Sequence, residues 1–164
     1  MTTETRVDGR NDFDFLIGSW DSVQHKLKKR LQGCDEWDVF SSHSTIRKTL
    51  DGLGNFDEVT MELPTGRVVG VTVRTYEPST QLWRIYWIAS NASGPIGEPM
   101  VGRFVNGRGE FYDHEIFDGR AIFSRFIWTS RDVDHCRWEQ AFSEDGGKTW
   151  ETNWTMDFTR SRDA

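Results

Sequence analysis

The chain has 164 residues, a net charge of −6, eight Trp and eleven Phe, and a hydrophobic share of 36%. That length suits one domain with a sizeable core, and the surplus of rings says the core is aromatic more than aliphatic. The acidic balance argues against nucleic-acid and anionic-lipid partners, and no apolar run of about eighteen residues offers a membrane span.

Residues 1–12 are polar and lack the apolar stretch of a secretory signal, so they read as a frayed tail before a single domain at 13–160. A cytoplasmic location follows as the expectation. There, Cys34 and Cys136 are packing residues rather than a bridge. The stretch Asn11 to Ile17 sets a capping residue before bulky apolar ones, the pattern of one helical turn placed as a plug.

Gly18-Ser19-Trp20 opens a first strand that runs to about Arg30. Its parity is mixed, with Trp20, Ser22 and Gln24 on one face and Val23 and Leu27 on the other, so a bulge near Asp21 is expected. The run Lys26-Leu27-Lys28-Lys29-Arg30 reads as a solvated strand end. The second strand, Glu36 to Lys48, precedes a glycine-punctuated connection. The third and fourth are Phe56 to Leu63 and Val68 to Tyr76, the latter alternating Val69, Val71 and Val73 with smaller and polar groups.

The fifth strand, Leu82 to Ala89, aligns Trp83, Ile85, Trp87 and Ala89 on one face. After the long loop 91–99 come Met100 to Val105, Glu110 to Phe117, and Ala121 to Ser130, the last with Ile122, Ser124, Phe126 and Trp128 on one face. The chain closes with a hairpin. Cys136, Trp138, Gln140 and Phe142 alternate along one arm, and Trp150, Thr152, Trp154, Met156 and Phe158 along the other. Ten strands with regular turn signals and no long helix indicate an all-β, antiparallel, up-and-down barrel, a closure that leaves no unpaired edge.

Phe15-Leu16-Ile17-Gly18-Ser19-Trp20 resembles the opening of the lipocalin and fatty-acid-binding superfamily, the calycins. The resemblance implies that Trp20 packs at the closed end of the barrel beneath Arg160 from the last strand, with Gly18 as part of the same structural motif. The stretch 13–160 is also similar to an uncharacterised, largely bacterial family of lipocalin-like barrels. That likeness is carried by Phe15 to Trp20, Gly52 to Glu58, and Trp138 to Phe142 through Trp154. It implies a fold and no particular activity. Nitrobindin-type haem barrels also open with Gly-x-Trp but continue with further glycines, where this chain has Asp21-Ser22-Val23-Gln24.

Ser143 to Trp150 matches one Asp-box, Ser-x-Asp-x-Gly-x-Thr-Trp. A propeller repeats that motif across its blades, so a single copy reads as a folded turn, with Asp145, Gly146 and Trp150 structural. His25, His43, His114 and His135 lie far apart and show no zinc spacing. His114, between Asp113 and Glu115, is the one to follow. No metal and no cofactor is expected. The paired carboxylates Asp57 with Glu58, Asp113 with Glu115, and Glu139 with Glu151 read mostly as outward charges.

A ten-stranded barrel is wider than the eight-stranded size that side chains just fill. The expected lumen is lined by Trp83, Trp87, Ser124, Trp128, Trp138, Gln140, Thr152, Trp154 and His114, an aromatic wall with a few polar groups. The first functional reading is therefore a protein that binds a small hydrophobic or aromatic ligand. The second is an enzyme, or a haem protein, acting on such a ligand with His114 or a lumen carboxylate as general base. The third is a filled barrel acting through an outer face or as a homodimer.

Overall fold

The computed structural model describes residues 8–92 and 94–162; of the expected tail, residues 1–7 lie outside the described residues. The strands are β1 (Gly18–Leu27), β2 (Trp37–Thr49), β3 (Gly54–Leu63), β4 (Gly66–Glu77), β5 (Leu82–Ala89), β6 (Met100–Val105), β7 (Arg108–Phe117), β8 (Arg120–Asp132), β9 (His135–Ser143) and β10 (Glu151–Arg160). Each pairs antiparallel with its sequence neighbours, and β1 pairs with β10, closing a lipocalin-like barrel.

One end is plugged. The short 3-10 helix Asp14–Leu16 enters the barrel, with Phe13 and Leu16 fully buried. Phe13 meets Trp83 and Phe104 edge-on, with ring centroids 4.9 and 4.8 Å away, a geometry that aligns ring edges with ring faces. The segment ahead of the plug is tied down too: Gly9 N donates to Tyr76 Oη, and Trp83 Nε1 donates to Gly9 O.

Parity along β1 differs from expectation. There is no bulge near Asp21, since register with β2 and β10 is continuous from Trp20 to Lys26. Trp20, Ser22 and Gln24 all turn inward, and Val23 is exposed. Ser22 and Ser42 hydrogen-bond each other, and Gln24 Nε2 donates to Ser42 Oγ. These partners are what allow polar side chains to sit inside.

On β4 the buried residues are Val68, Gly70, Thr72, Arg74 and Tyr76, while Val69, Val71 and Val73 take the outer parity. The β1–β4 side of the lumen thus mixes Ser44, Asp57, Thr72 and Arg74 with Ile46, Val59 and Met61, while the aromatic wall comes from β5 and β8 to β10. The expected bulge occurs in β10 instead. Register against β9 shifts between Thr152 and Trp154, so Asn153 is the extra residue.

The Asp-box is the β9–β10 turn. Asp145 accepts hydrogen bonds from Ser143 Oγ, Lys148 N, Thr149 N and Thr149 Oγ1. These donors hold its carboxyl down at about 2. Gly146 supplies a positive φ of 74°, and Trp150 Nε1 donates to Gly147 O. Trp150 lies off the strand, beneath the Arg125 guanidinium at 4.2 Å. It packs outside the lumen.

Candidate functional site

Above the plug, the barrel encloses a cavity of about 290 Å³ floored by Leu16. Its size lies near the lower end of the range typical of small-molecule sites, roughly 300–1,000 Å³. Trp87, Phe126, Trp128, Trp138, Trp154 and Phe158 make its aromatic wall. Ser44, Asp57, Thr72, Arg74, Ser124 and Gln140 supply most of its polar groups.

Among the lumen candidates, Trp87, Ser124, Trp128, Trp138, Gln140 and Trp154 line this cavity. The β5, β8 and β9 alternation places all but one of them, and Trp154 reaches the lumen just past the bulge. Three candidates do not line it. Trp83 is buried lower down, where it bonds to Gly9 and packs on Phe13. Thr152 is exposed because the bulge at Asn153 shifts its parity. His114 takes the outer face of β7, edge-on to Phe123 at 4.4 Å, because its neighbours Asp113 and Glu115 take the inner parity.

None of the four histidines lines the cavity. His43 pairs with Asp21 and His135 with Asp132 on the exposed surface.

The carboxylates correct the expectation the other way. Asp57, Asp113 and Glu115 border the lumen cavity, Asp57 fully buried, Asp113 half-buried and Glu115 also open to solvent at the rim. Asp57 is buried against Arg74, whose Nη1 lies 2.8 Å from Asp57 Oδ2 and 2.9 Å from Asn55 Oδ1. That pairing is what makes a charge tolerable there. Burial raises the carboxyls of Asp113 and Glu115, and nearby Glu98 and Asp113 respectively add to the shift.

Some donors in this wall lack acceptors. Among the described residues, Trp128 Nε1, Arg74 Nε and Asn153 Nδ2 are buried without a hydrogen-bond partner. Trp128 and Arg74 both line the cavity, and the Arg74 guanidinium carbon lies 5.4 Å from the Trp128 ring centre. Asn153 sits behind Gln140, which donates to its Oδ1. Each unsatisfied buried donor carries a penalty of about 1–3 kcal/mol.

The other end of the barrel is the mouth. The turn between β1 and β2 leans over it: Leu31 N donates to Glu151, and Arg120 reaches Leu31 O. A second hollow beneath this turn, about 320 Å³, shares Met61, Trp87, Glu115, Gln140 and Trp154 with the lumen cavity. Lys26 and Arg30 line it, so the basic run is only partly the solvated strand end expected. Trp87 owes its position to Gly70, because a Cβ there would overlap the indole.

The wall also has a seam. The β5–β6 ladder comprises only Trp83↔Gly102, Arg84↔Val101 and Ile85↔Met100. Trp87 lies beyond that ladder on β5, while Asp113 and Glu115 lie beyond Tyr112, the last β7 residue paired to β6.

The barrel is similar to that of the S-type phycobiliprotein lyase CPES from Guillardia theta. The two share 14% identity over 97% of this chain and 96% of that one, with a TM-score of 0.60. EF1p2_mFAP2b, bound to DFHBI, aligns over 93% of this chain and 99% of its own at 10% identity, with a TM-score of 0.47. The first likeness is one of fold, a calycin-like barrel, and the second is too distant to build on. No protein-family model and no curated protein sequence matches the chain.

Proposed function

We propose that this protein binds a small aromatic molecule carrying a hydrogen-bond acceptor inside the barrel lumen. The observation that carries the reading is the cavity between the Trp128–Trp138–Trp154 wall and the side that carries Ser44, Thr72 and Arg74. Desolvation of rings against indoles would supply most of the affinity. An acceptor oxygen facing polar lining groups such as Ser44 and Thr72 would fix orientation. The shared fold with a phycobiliprotein lyase is in keeping with a lumen used for a ligand.

Of the general bases expected for a catalytic reading, His114 takes the outer face of β7, while the carboxylates Asp57, Asp113 and Glu115 border the cavity. A fully filled lumen is at odds with the cavity.

The test is fluorescence titration with phenylnaphthylamine, a neutral aromatic probe, on the wild type and on Ser124→Phe. Ser124 is buried and lines the cavity, so a ring there occupies the probe's space. The reading expects saturable binding in the wild type and loss of binding in the variant, with the variant's cooperative unfolding transition retained. Equal binding by both proteins, or none by the wild type, would contradict it.

A further inference from the structure

Lys26 and Arg30 are oddly placed for charged groups. Lys26 shares the inner parity of Trp20, Ser22 and Gln24, and its Nζ sits 4.4 Å from the centre of the Trp154 ring. Arg30, in the turn over the mouth, stacks its guanidinium carbon 4.7 Å from the Phe117 ring centre and 5.5 Å from that of Phe142. Both are half-buried and both line the hollow that continues into the lumen.

Among the described residues, neither forms an ion pair, whereas neighbouring Lys28 lies 3.8 Å from Glu36. The nearby acids are otherwise arranged. Asp38 stands opposite Lys26 in the β1–β2 register, and Glu151 accepts from Leu31 N. Glu115 lines the same hollow, while Asp113 and Glu98 line the lumen cavity but not the hollow.

Burial lowers the pKa of both groups and Arg30 adds to the shift in Lys26, while Asp38 opposes it in Lys26 and Glu115 and Glu151 oppose it in Arg30. Two half-desolvated cations on aromatic faces, neither in direct contact with a carboxylate, keep N–H donors available to an anion at the mouth. An anion between them would gain charge-assisted hydrogen bonds that are roughly twice as strong as neutral ones.

We propose that the lumen ligand is an amphipathic anion, with its ring system against the tryptophan wall and its carboxylate- or sulfonate-type group held at the mouth by Lys26 and Arg30. This rests on the lumen-binding reading and adds the charge of the ligand and the end at which it is held.

The experiment pairs two probes of one skeleton: phenylnaphthylamine, which is neutral, and anilinonaphthalene sulfonate, which carries the anion. Both are titrated into the wild type, Lys26→Met and Arg30→Met. Methionine keeps an unbranched stem over the aromatic rings and removes the charge. The sulfonate is expected to bind about tenfold more tightly than the neutral probe, as one charged hydrogen bond would give. Each variant should lose about that factor for the sulfonate and keep the neutral probe within about twofold.

Retained binding of the neutral probe also shows that each variant is folded. Equal affinities for the two probes, or sulfonate binding indifferent to both substitutions, would overturn the anion site and leave the lumen reading standing. Failure of the neutral probe to bind wild type would overturn both.

Discussion

Trp20 and Arg160 stand opposite each other in the β1–β10 ladder, and the Arg160 guanidinium carbon lies 4.2 Å from the centre of the Trp20 indole. The same guanidinium donates to the carbonyls of Phe15, Ile17 and Val133, while Trp20 Nε1 donates to Leu16 O. One residue from the last strand therefore holds the plug, the first strand and the β8–β9 turn together. Gly18 makes room, since a Cβ there would lie 2.6 Å from Arg160 Nη1. Arg160→Ala is expected to lower unfolding stability by about 1–3 kcal/mol through lost cation–π contact and packing. Chemical denaturation measures this, and an unchanged midpoint would show that the staple contributes nothing.

The buried Asp57–Arg74 pair makes a sharper stability prediction. Both side chains are almost entirely inaccessible, at 6% and 4% exposure. Asp57→Ala should cost about 3–5 kcal/mol, because it strands a guanidinium in the interior. Replacing both residues, Asp57→Leu with Arg74→Met, should recover much of that loss. A double variant no better than the single one would mean that the two charges are not coupled as the geometry implies.

The Asp145 turn makes the fold sensitive to acid. Its carboxyl is held at about 2, against an ordinary 3.8, chiefly by the Thr149 hydroxyl and amide and by Ser143. A depressed folded value means that the unfolded chain takes up the proton first. The stabilisation is fully present above the unfolded value near 4 and is lost as pH falls through about 2. Asp145→Asn should therefore lower the thermal midpoint at neutral pH, with the gap to wild type closing as pH falls toward 2. A gap that stayed constant across that window would contradict the assignment.

The two thiols should behave differently. Cys136 is buried in the core, and desolvation pushes it up to about 12, leaving very little thiolate at neutral pH. Cys34 is half-exposed in the β1–β2 turn and accepts from Glu36 N. A thiol reagent is expected to label Cys34 in the native protein and Cys136 only on unfolding. Native labelling of both at comparable rates would show that the β8–β10 wall opens readily.

The barrel and most of its aromatic wall were legible because hydrophobic alternation reports which face is packed. Trp87, Trp128 and Trp138 fall on the lumen side for that reason. The inward polar groups were hidden by the same rule. A ligand-sized lumen can take hydrogen-bonded polar groups inward, so Thr72 and Arg74 face in while Val69, Val71 and Val73 take the outer parity. Charge alone would place Asp57 and Asp113 outside, although their strand parity, shared with Val59 and Phe111 respectively, points inward. The β10 bulge has no clear signature in the sequence; only the ladder around Asn153 reveals it.

An accessible aromatic lumen is what ligand binding by this barrel requires. Native mass spectrometry of the wild type and Ser124→Phe, each mixed with phenylnaphthylamine, tests it most directly. A one-to-one adduct is expected on the wild type and the bare chain mass for the variant. Bare chain from both, or the same adduct on both, would place binding outside the lumen or nowhere, and would contradict it.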